Sequence, residues 1–519
     1  MIKLTDEQRS VVDAKTSNIL VSAAAGSGKT AVLVERILKK ILSESDPVDI
    51  DEILIVTFTN DAAAQMRDRI RRAIDDRLLK DPYNKRLQRE SDRLSFANIM
   101  TLDSFCQHVV KRYFHQLDID PGFGILDDTD KNLLLNRAIT ETIEAKHEDG
   151  DAAFFQMLDA YSGSKDDARI IELIAKVDDF AQSHPFPEEW IRDSVAKIEK
   201  IKTEEDLLIS DFAQSEYAIL KTLYESLYAS SSALLEECDR PGGPFYYKDA
   251  IVRDTAFCES VSHAKSLREM ILYAQDYYAG NTGIGRPRKG PEVYPELKDY
   301  VKGVRDRIKH AFDDTVKCYA DENYVSKMTA NVRQCADQLR ELCELTIACR
   351  KTYRALMDDQ NAYDFQEIAH MTLAVLLKKE DGNIVYTDAA RQYRRSFREI
   401  MVDEYQDSNL VQEMFLKAIS REDEGQPNIF MVGDIKQSIY KFRMAKPELF
   451  MEKYDTYSAD PDSLNRLIIL NKNFRSRETI LNGVNRIFKK IMQKPVGGVV
   501  YDEQAELKTG ADYKIKLSD

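Results

Sequence analysis

Several small sets of residues in this 519-residue sequence have the types and spacing for chemistry on phosphate. The first is Ala25-Gly26-Ser27-Gly28-Lys29-Thr30, just after the apolar run Ile19–Val21. Glycines let backbone N–H groups turn towards phosphate oxygens and leave room for them. A helix opening at this point adds the partial positive charge of its N-terminus. Lys29 would neutralise the β- and γ-phosphates of a nucleotide, and Thr30 would place a hydroxyl on Mg²⁺. Ala23 departs from the general pattern, which has its first Gly there. The bland alternative is a glycine turn before an ordinary helix. A second set is Asp403-Glu404, after the apolar run Glu399–Val402. Asp403 would hold Mg²⁺, usually through water. Glu404 would orient and deprotonate an attacking water; the alternative is a solvated turn. In Gly433–Arg443, Gln437 could reach a γ-phosphate, while Tyr440 and Phe442 carry flat faces for single-stranded bases or pack in a core. In Asn471–Ser476, Arg475 either answers γ-phosphate or makes a surface salt bridge.

These residues need elements to position them. Val32, Leu33, Ile37, Leu38, Ile41 and Leu42 recur at helical spacing after the glycine loop. Ile53–Val56 reads as a second strand, running into Thr57-Phe58-Thr59-Asn60 and an Ala-rich helix from Ala62 to about Leu79. Residues at the carboxyl ends of parallel strands sit where α/β sheets bind ligands. Phe58 there is a base-stacking platform or a core residue. Phe96–Leu102, Asn428–Val432 and Leu467–Leu470 read as further strands. Thr5 and Gln8 fit a capping box, and Gln8 could instead hydrogen-bond an adenine edge.

From about Phe114 to about Tyr353 the texture is helical and charged, punctuated by Pro185-Phe-Pro187, Pro241-Gly-Gly-Pro244 and a loop with Arg286, Arg288 and Lys289. That loop either touches a DNA backbone or is simply solvated. Hydrophobic content of 43% and charged content of 31% fit a soluble globular chain of three or more domains. No run has the length of a membrane-spanning helix, and the N-terminus lacks a signal-peptide pattern. The seven Cys are scattered without a C-x-x-C pair, which fits a reducing cytoplasm and argues against a zinc site. A net charge of −15 taken alone disfavours nucleic acid, although a local groove can be basic on an acidic protein.

In this order, the blocks LVSAAAGSGKTAVLVERIL, VTFTNDAAAQMRDRI, DEYQDSN, GDIKQSIYKFRMAKPELF and NKNFRS resemble superfamily 1 DNA helicases of the UvrD type, and within them the AddA helicase–nuclease subunits. The likeness is clear over 1–195 and 355–485. It implies an α/β fold: a RecA-like motor domain in two parts (1–115 and 355–455), a helical insertion (116–354) and the start of a second motor domain (456–519). It implies an ATP- and Mg²⁺-dependent helicase on single- and double-stranded DNA, in the cytoplasm, paired with an AddB-type subunit. In the full-length protein, a nuclease domain would help degrade double-strand break ends for recombinational repair. The alternatives are a UvrD-like repair helicase without nuclease and a non-catalytic DNA-binding or scaffold subunit that keeps only the fold. The resemblance assigns adenine contacts to Gln8 and Phe474, and phosphate and Mg²⁺ contacts to Ala25, Gly26, Ser27, Gly28, Lys29 and Thr30. It assigns metal and water roles to Asp403 and Glu404, γ-phosphate sensing to Gln437 and Arg475, and the DNA track to Phe58, Asn60, Tyr440 and Phe442. Asp364 matches a motif that approaches the nucleotide. Asp103 and Gly124 stand where relatives usually carry His and Arg, which puts the DNA contacts of that region in doubt. The later helicase motifs are not found before Asp519, so the chain is expected to be a fragment, weak in ATP hydrolysis by itself.

Overall fold

The structure, a computed structural model, describes residues 4–162, 168–280, 283–284, 291–492 and 499–511. Six apolar runs form one sheet: β1 (Asn18–Ala23), β2 (Ile53–Thr57), β3 (Asn98–Thr101), β4 (Glu399–Val402), β5 (Ile429–Gly433) and β6 (Asn465–Leu470). The order is β6-β1-β5-β4-β2-β3, and every pairing is parallel. Side chains alternate across the sheet, and both faces are buried, as continuous apolar strands require. Ile19, Val21, Ile55 and Val432 enter one core, with the helix Lys29–Ile41. Leu20, Leu54, Val56 and Met431 enter the other, with the helices Leu102–Arg112 and Phe365–Leu376. The expected α/β fold around a parallel sheet is therefore present.

Two expected boundaries are corrected. The strand at Leu467–Leu470, expected within the start of a second motor domain, joins the central sheet instead. Asn465–Leu470 pairs in parallel register with all of β1, and Ile468 and Leu470 bury in the same core as Ile19 and Val21. The insertion is also shorter than 116–354. The chain forms two compact units, one of 1–149, 166–190 and 345–519, the other of 150–165 and 191–344. Phe123, Leu134, Ala138, Tyr353 and Met357 fall in the first unit because they pack in the core of the sheet. The second unit is helical. Asp211–Asp239, Lys248–His263, Leu267–Ala279 and Pro295–Thr315 share a core in which Tyr224 stacks on Phe312 at 5.6 Å. A buried ion pair, Arg305 to Asp254 at 2.7 Å, lies in this unit. Among the described residues no helix is long and apolar enough to cross a membrane. All seven Cys are free thiols.

Candidate active site

The loops after β1, β2, β4, β5 and β6 all leave the carboxyl edge of the sheet, where parallel sheets bind ligands. After β1, Gly26 and Gly28 take φ of +72° and +85°, left-handed values that side chains resist. Space is short as well. A Cβ on Gly26 would stand 2.8 Å from the Asn473 amide nitrogen, and one on Gly28 would stand 3.1 Å from that of Gln8. Among the described residues no side chain caps the helix that starts at Lys29, so its first N–H groups keep their capacity for an anion. Ser27 is 1% exposed, and its hydroxyl has no hydrogen-bond partner among the described residues. The glycine cradle, the uncapped helix and the orphaned hydroxyl together fit phosphate.

Two elements bracket this loop. Gln8 completes a capping box with Thr5, and its Nε2 also donates to the Ser27 carbonyl at 2.9 Å. The capping role is thus present, and the amide lies against the loop. On the other side, Asn473 Nδ2 donates to the Ala25 carbonyl at 2.7 Å, and the Phe474 N–H donates to the Gly26 carbonyl at 2.8 Å. The Asn473 Oδ1 accepts from the N–H groups of Arg475 and Ser476, at 2.8 and 2.7 Å. Gln8 and Phe474 line one narrow crevice with Thr5, Glu7 and Lys472. Arg475 is thereby brought beside the phosphate loop.

Across the loop, Lys29 Nζ donates to both carboxylate oxygens of Glu404, at 3.0 and 2.9 Å. Asp403 continues the sheet ladder through its N–H to the Val56 carbonyl, at 3.0 Å. Glu404 then takes a left-handed φ of +52°, a costly conformation for a non-glycine residue. Burial, then the charge of Glu404, push the Asp403 carboxyl up to about 6, against the pull of Lys29 and Arg69. The same two causes, in the same order, push Asp407 up to about 6, against a hydrogen bond from Gln406. Thr30 is half-buried in the first turn of its helix. Gln437 lies nearby, with its Nε2 donating to Asp434 at 2.7 Å. Four residues of this network had no assigned role in the sequence: Gln406, Asp407, Asp434 and Asn473. Their only signal is that each is polar and follows an apolar strand.

On the same edge, Phe58 and Tyr440 have ring centroids 4.7 Å apart, and Tyr440 and Phe442 5.7 Å apart. Phe58 and Tyr440 are half-buried and Phe442 is 73% exposed, so this ladder is not core packing. Asn60, the first residue of the helix Asn60–Leu78, is exposed. A cavity of about 320 Å³ opens beside the ladder, with Phe58, Asp103, Asp364, Asp407 and Phe442 among its lining. Asp364 faces this cavity. It caps the helix Phe365–Leu376 and accepts from the Tyr353 hydroxyl at 2.9 Å. Gly124 lies in a short parallel pairing with Ala362. Arg286, Arg288 and Lys289 lie outside the described residues.

The family of the UvrD/REP helicase N-terminal domain matches residues 4–458. Relatives named as the A-type component of an ATP-dependent helicase/nuclease are similar over 98% of this chain. The protein of Lachnoclostridium phytofermentans is 40% identical, with 37% of its own length covered. Those of Ruminiclostridium cellulolyticum and Acetivibrio thermocellus are each 38% identical, with 41% covered. The chain thus spans about two-fifths of the length of these relatives. On this match and these likenesses, which cover the glycine loop, the Asp403-Glu404 pair and the aromatic ladder, the chain belongs to the UvrD/REP helicase family.

Proposed function

We propose that this chain is the ATP-binding motor part of a DNA helicase–nuclease subunit. The observation that carries this reading is the convergence of the loop at Gly26–Thr30, the Asp403-Glu404 pair and Asn473–Arg475 on one sheet edge. The ladder of Phe58, Tyr440 and Phe442 follows on the same edge. The backbone of Ala25 to Gly28 would cradle the phosphates, and the crevice of Gln8 and Phe474 would take the adenine. Thr30 and Asp403 would hold Mg²⁺, which supplies charge neutralisation on the β- and γ-phosphates when bound. Lys29 and Glu404 now hold each other. Lys29 turning to phosphate would free Glu404 to orient a water and accept its proton. Arg475 and Gln437 would answer charge on the γ-phosphoryl group. The aromatic ladder, with Asn60, would hold single-stranded bases by stacking, which tolerates any sequence.

For the whole protein we propose ATP-driven unwinding of broken duplex ends, their degradation for recombinational repair, and work beside an AddB-type subunit in the cytoplasm; the names of the relatives support the helicase and nuclease activities and the existence of a partner subunit. Nuclease chemistry is assigned to no residue of this chain. The test is equilibrium binding of ATP with Mg²⁺ to the chain and to Lys29→Ala. Deleting the ammonium group should abolish measurable binding while leaving the melting curve intact. Equal affinity in the two proteins would refute the nucleotide site.

A further inference from the structure

Gln406 is 2% exposed and stands between the two halves of the site just described. Its Nε2 donates to Glu404 Oε2 at 3.0 Å and to Asp407 Oδ2 at 3.2 Å. Its Oε1 accepts from the Asp434 N–H at 3.0 Å. Both ends of the amide are therefore committed, one to the Glu404 carboxylate and one to the backbone after β5. Asp434 passes the connection on. It accepts from the Lys436 N–H at 3.2 Å and from Gln437 Nε2 at 2.7 Å, and it pairs with Lys436 Nζ at 2.8 Å. It thereby caps the short turn Ile435–Gln437, from which the chain runs directly to Tyr440 and Phe442.

Gly433 adds an independent observation. Its φ is not left-handed, so its backbone does not need glycine. Space does. A Cβ there would stand 2.3 Å from Gln406 Oε1. The glycine makes the room that Gln406 occupies. At the other end, Glu404 holds its left-handed φ while its Oε2 accepts from both Lys29 and Gln406. Its carboxylate is thus shared between the phosphate loop and the aromatic segment.

We infer that Gln406 is a positioning residue that couples the aromatic ladder to Glu404, with Gly433 as the space it requires. Movement of the Gln437–Phe442 segment when bases stack on it is carried by Asp434 and Gln406 to the Glu404 carboxylate, and so to its hold on Lys29. Occupancy of the ladder and of the phosphate loop then influence each other's affinity by one reciprocal factor. This rests on the proposed reading of the loop as an ATP site and the ladder as a single-strand site.

The experiment titrates this chain with a fluorescent ATP analogue and Mg²⁺, with and without saturating oligo(dT). The wild type should show a change of about 5-fold or more in nucleotide affinity, within the usual range of such coupling. Gln406→Met keeps the volume and loses all three hydrogen bonds. Gly433→Ala keeps Gln406 and removes its space. Each should still bind either ligand alone, with the coupling factor falling to within twofold of one. Gln406→Glu is the second variant if Gln406→Met does not fold. It repels Glu404 while keeping the acceptor for Asp434, and it too should uncouple the ligands. A residue that only satisfied buried groups would change melting temperature and leave the factor alone, so coupling that persists in Gln406→Met or Gln406→Glu overturns the inference. A wild type that binds both ligands without coupling overturns it and leaves the ATP site standing. A wild type that binds no nucleotide overturns the ATP-site reading and the coupling together.

Discussion

At the scale of single residues, burial rather than residue type sets the charge state of Asp403. Asp403 lies at the end of a buried strand beside Glu404, and its carboxyl is raised from 3.8 to about 6. The folded chain then holds that proton more tightly than the unfolded chain does. The contribution of this proton to stability is full below about pH 4 and is lost as the pH rises through about 6. Asp403→Asn removes the titration. Its melting temperature should match the wild type near about pH 4.5 and exceed it by about pH 7.5. A difference that stays constant over this range would show that Asp403 is not held above its ordinary value. Phe442 gives a second prediction at this scale. It is 73% exposed at the end of a ladder of rings. Phe442→Ala should weaken single-strand binding by about 1–3 kcal/mol, the size of one base–aromatic stack. The loss should be equal on oligo(dT), oligo(dA) and mixed sequence in a fluorescence anisotropy assay, and a loss confined to one sequence would contradict stacking.

At the scale of elements, one buried ion pair joins the phosphate-loop helix to the strand that carries the acids. Arg36 and Glu399 are both wholly buried and 2.6 Å apart. The Arg36 Nη1 also donates to the carbonyls of Val11 and Ala14, at 2.8 Å each, and its guanidinium lies over Phe430. Lys40 reaches the second Glu399 oxygen at 3.1 Å, with its own pKa pushed down by burial. Three elements are locked in this way: the helices Asp6–Asp13 and Lys29–Ile41, and β4. Removing one member of a buried pair strands the other charge, whereas replacing the pair with apolar residues is far milder. Glu399→Ala should therefore cost about 3–5 kcal/mol in urea unfolding. Arg36→Met combined with Glu399→Leu should recover a large part of that. A single variant as stable as the wild type would show that water reaches the pair.

At the scale of the whole molecule, two units with separate cores imply two unfolding events. One core surrounds the sheet, and the other is the helical cluster around Tyr224, Phe257 and Phe312. The sole Trp, Trp190, stacks on His184 at 4.6 Å within the first unit, whereas circular dichroism follows both units. Chains with separate cores depart from two-state behaviour. A ligand stabilises only the unit that binds it, by about 2.7 kcal/mol at a concentration 100 times its dissociation constant. ATP with Mg²⁺ should thus raise the transition seen by Trp190 fluorescence and leave a second, ellipticity-only transition where it was. One transition seen identically by both probes would mean that the units unfold as one.

Local sequence is enough for the strands and for the glycine loop with the helix that follows it. Ile53–Val56 and Ile400–Val402 are continuous apolar runs, the pattern that a strand buried on both faces carries. Gly26, Gly28, Lys29 and Thr30 are legible as a unit, because a loop and its helix are made by neighbours in the chain. Folding brings out what distance along the chain conceals. The edge position of Asn465–Leu470 depends on pairing with β1, more than 400 residues away. The helix Ala168–Gln182 belongs with the first unit because of its partners there, Arg350 on Asp178 and His370 on the Gln182 carbonyl, although its helical texture is the same as that of the insertion. The roles of Gln406, Asn473 and Gly433 exist only as contacts. An amide is a common surface group until both of its ends are seen to be taken, and a glycine is only a small residue until the side chain filling its space is known.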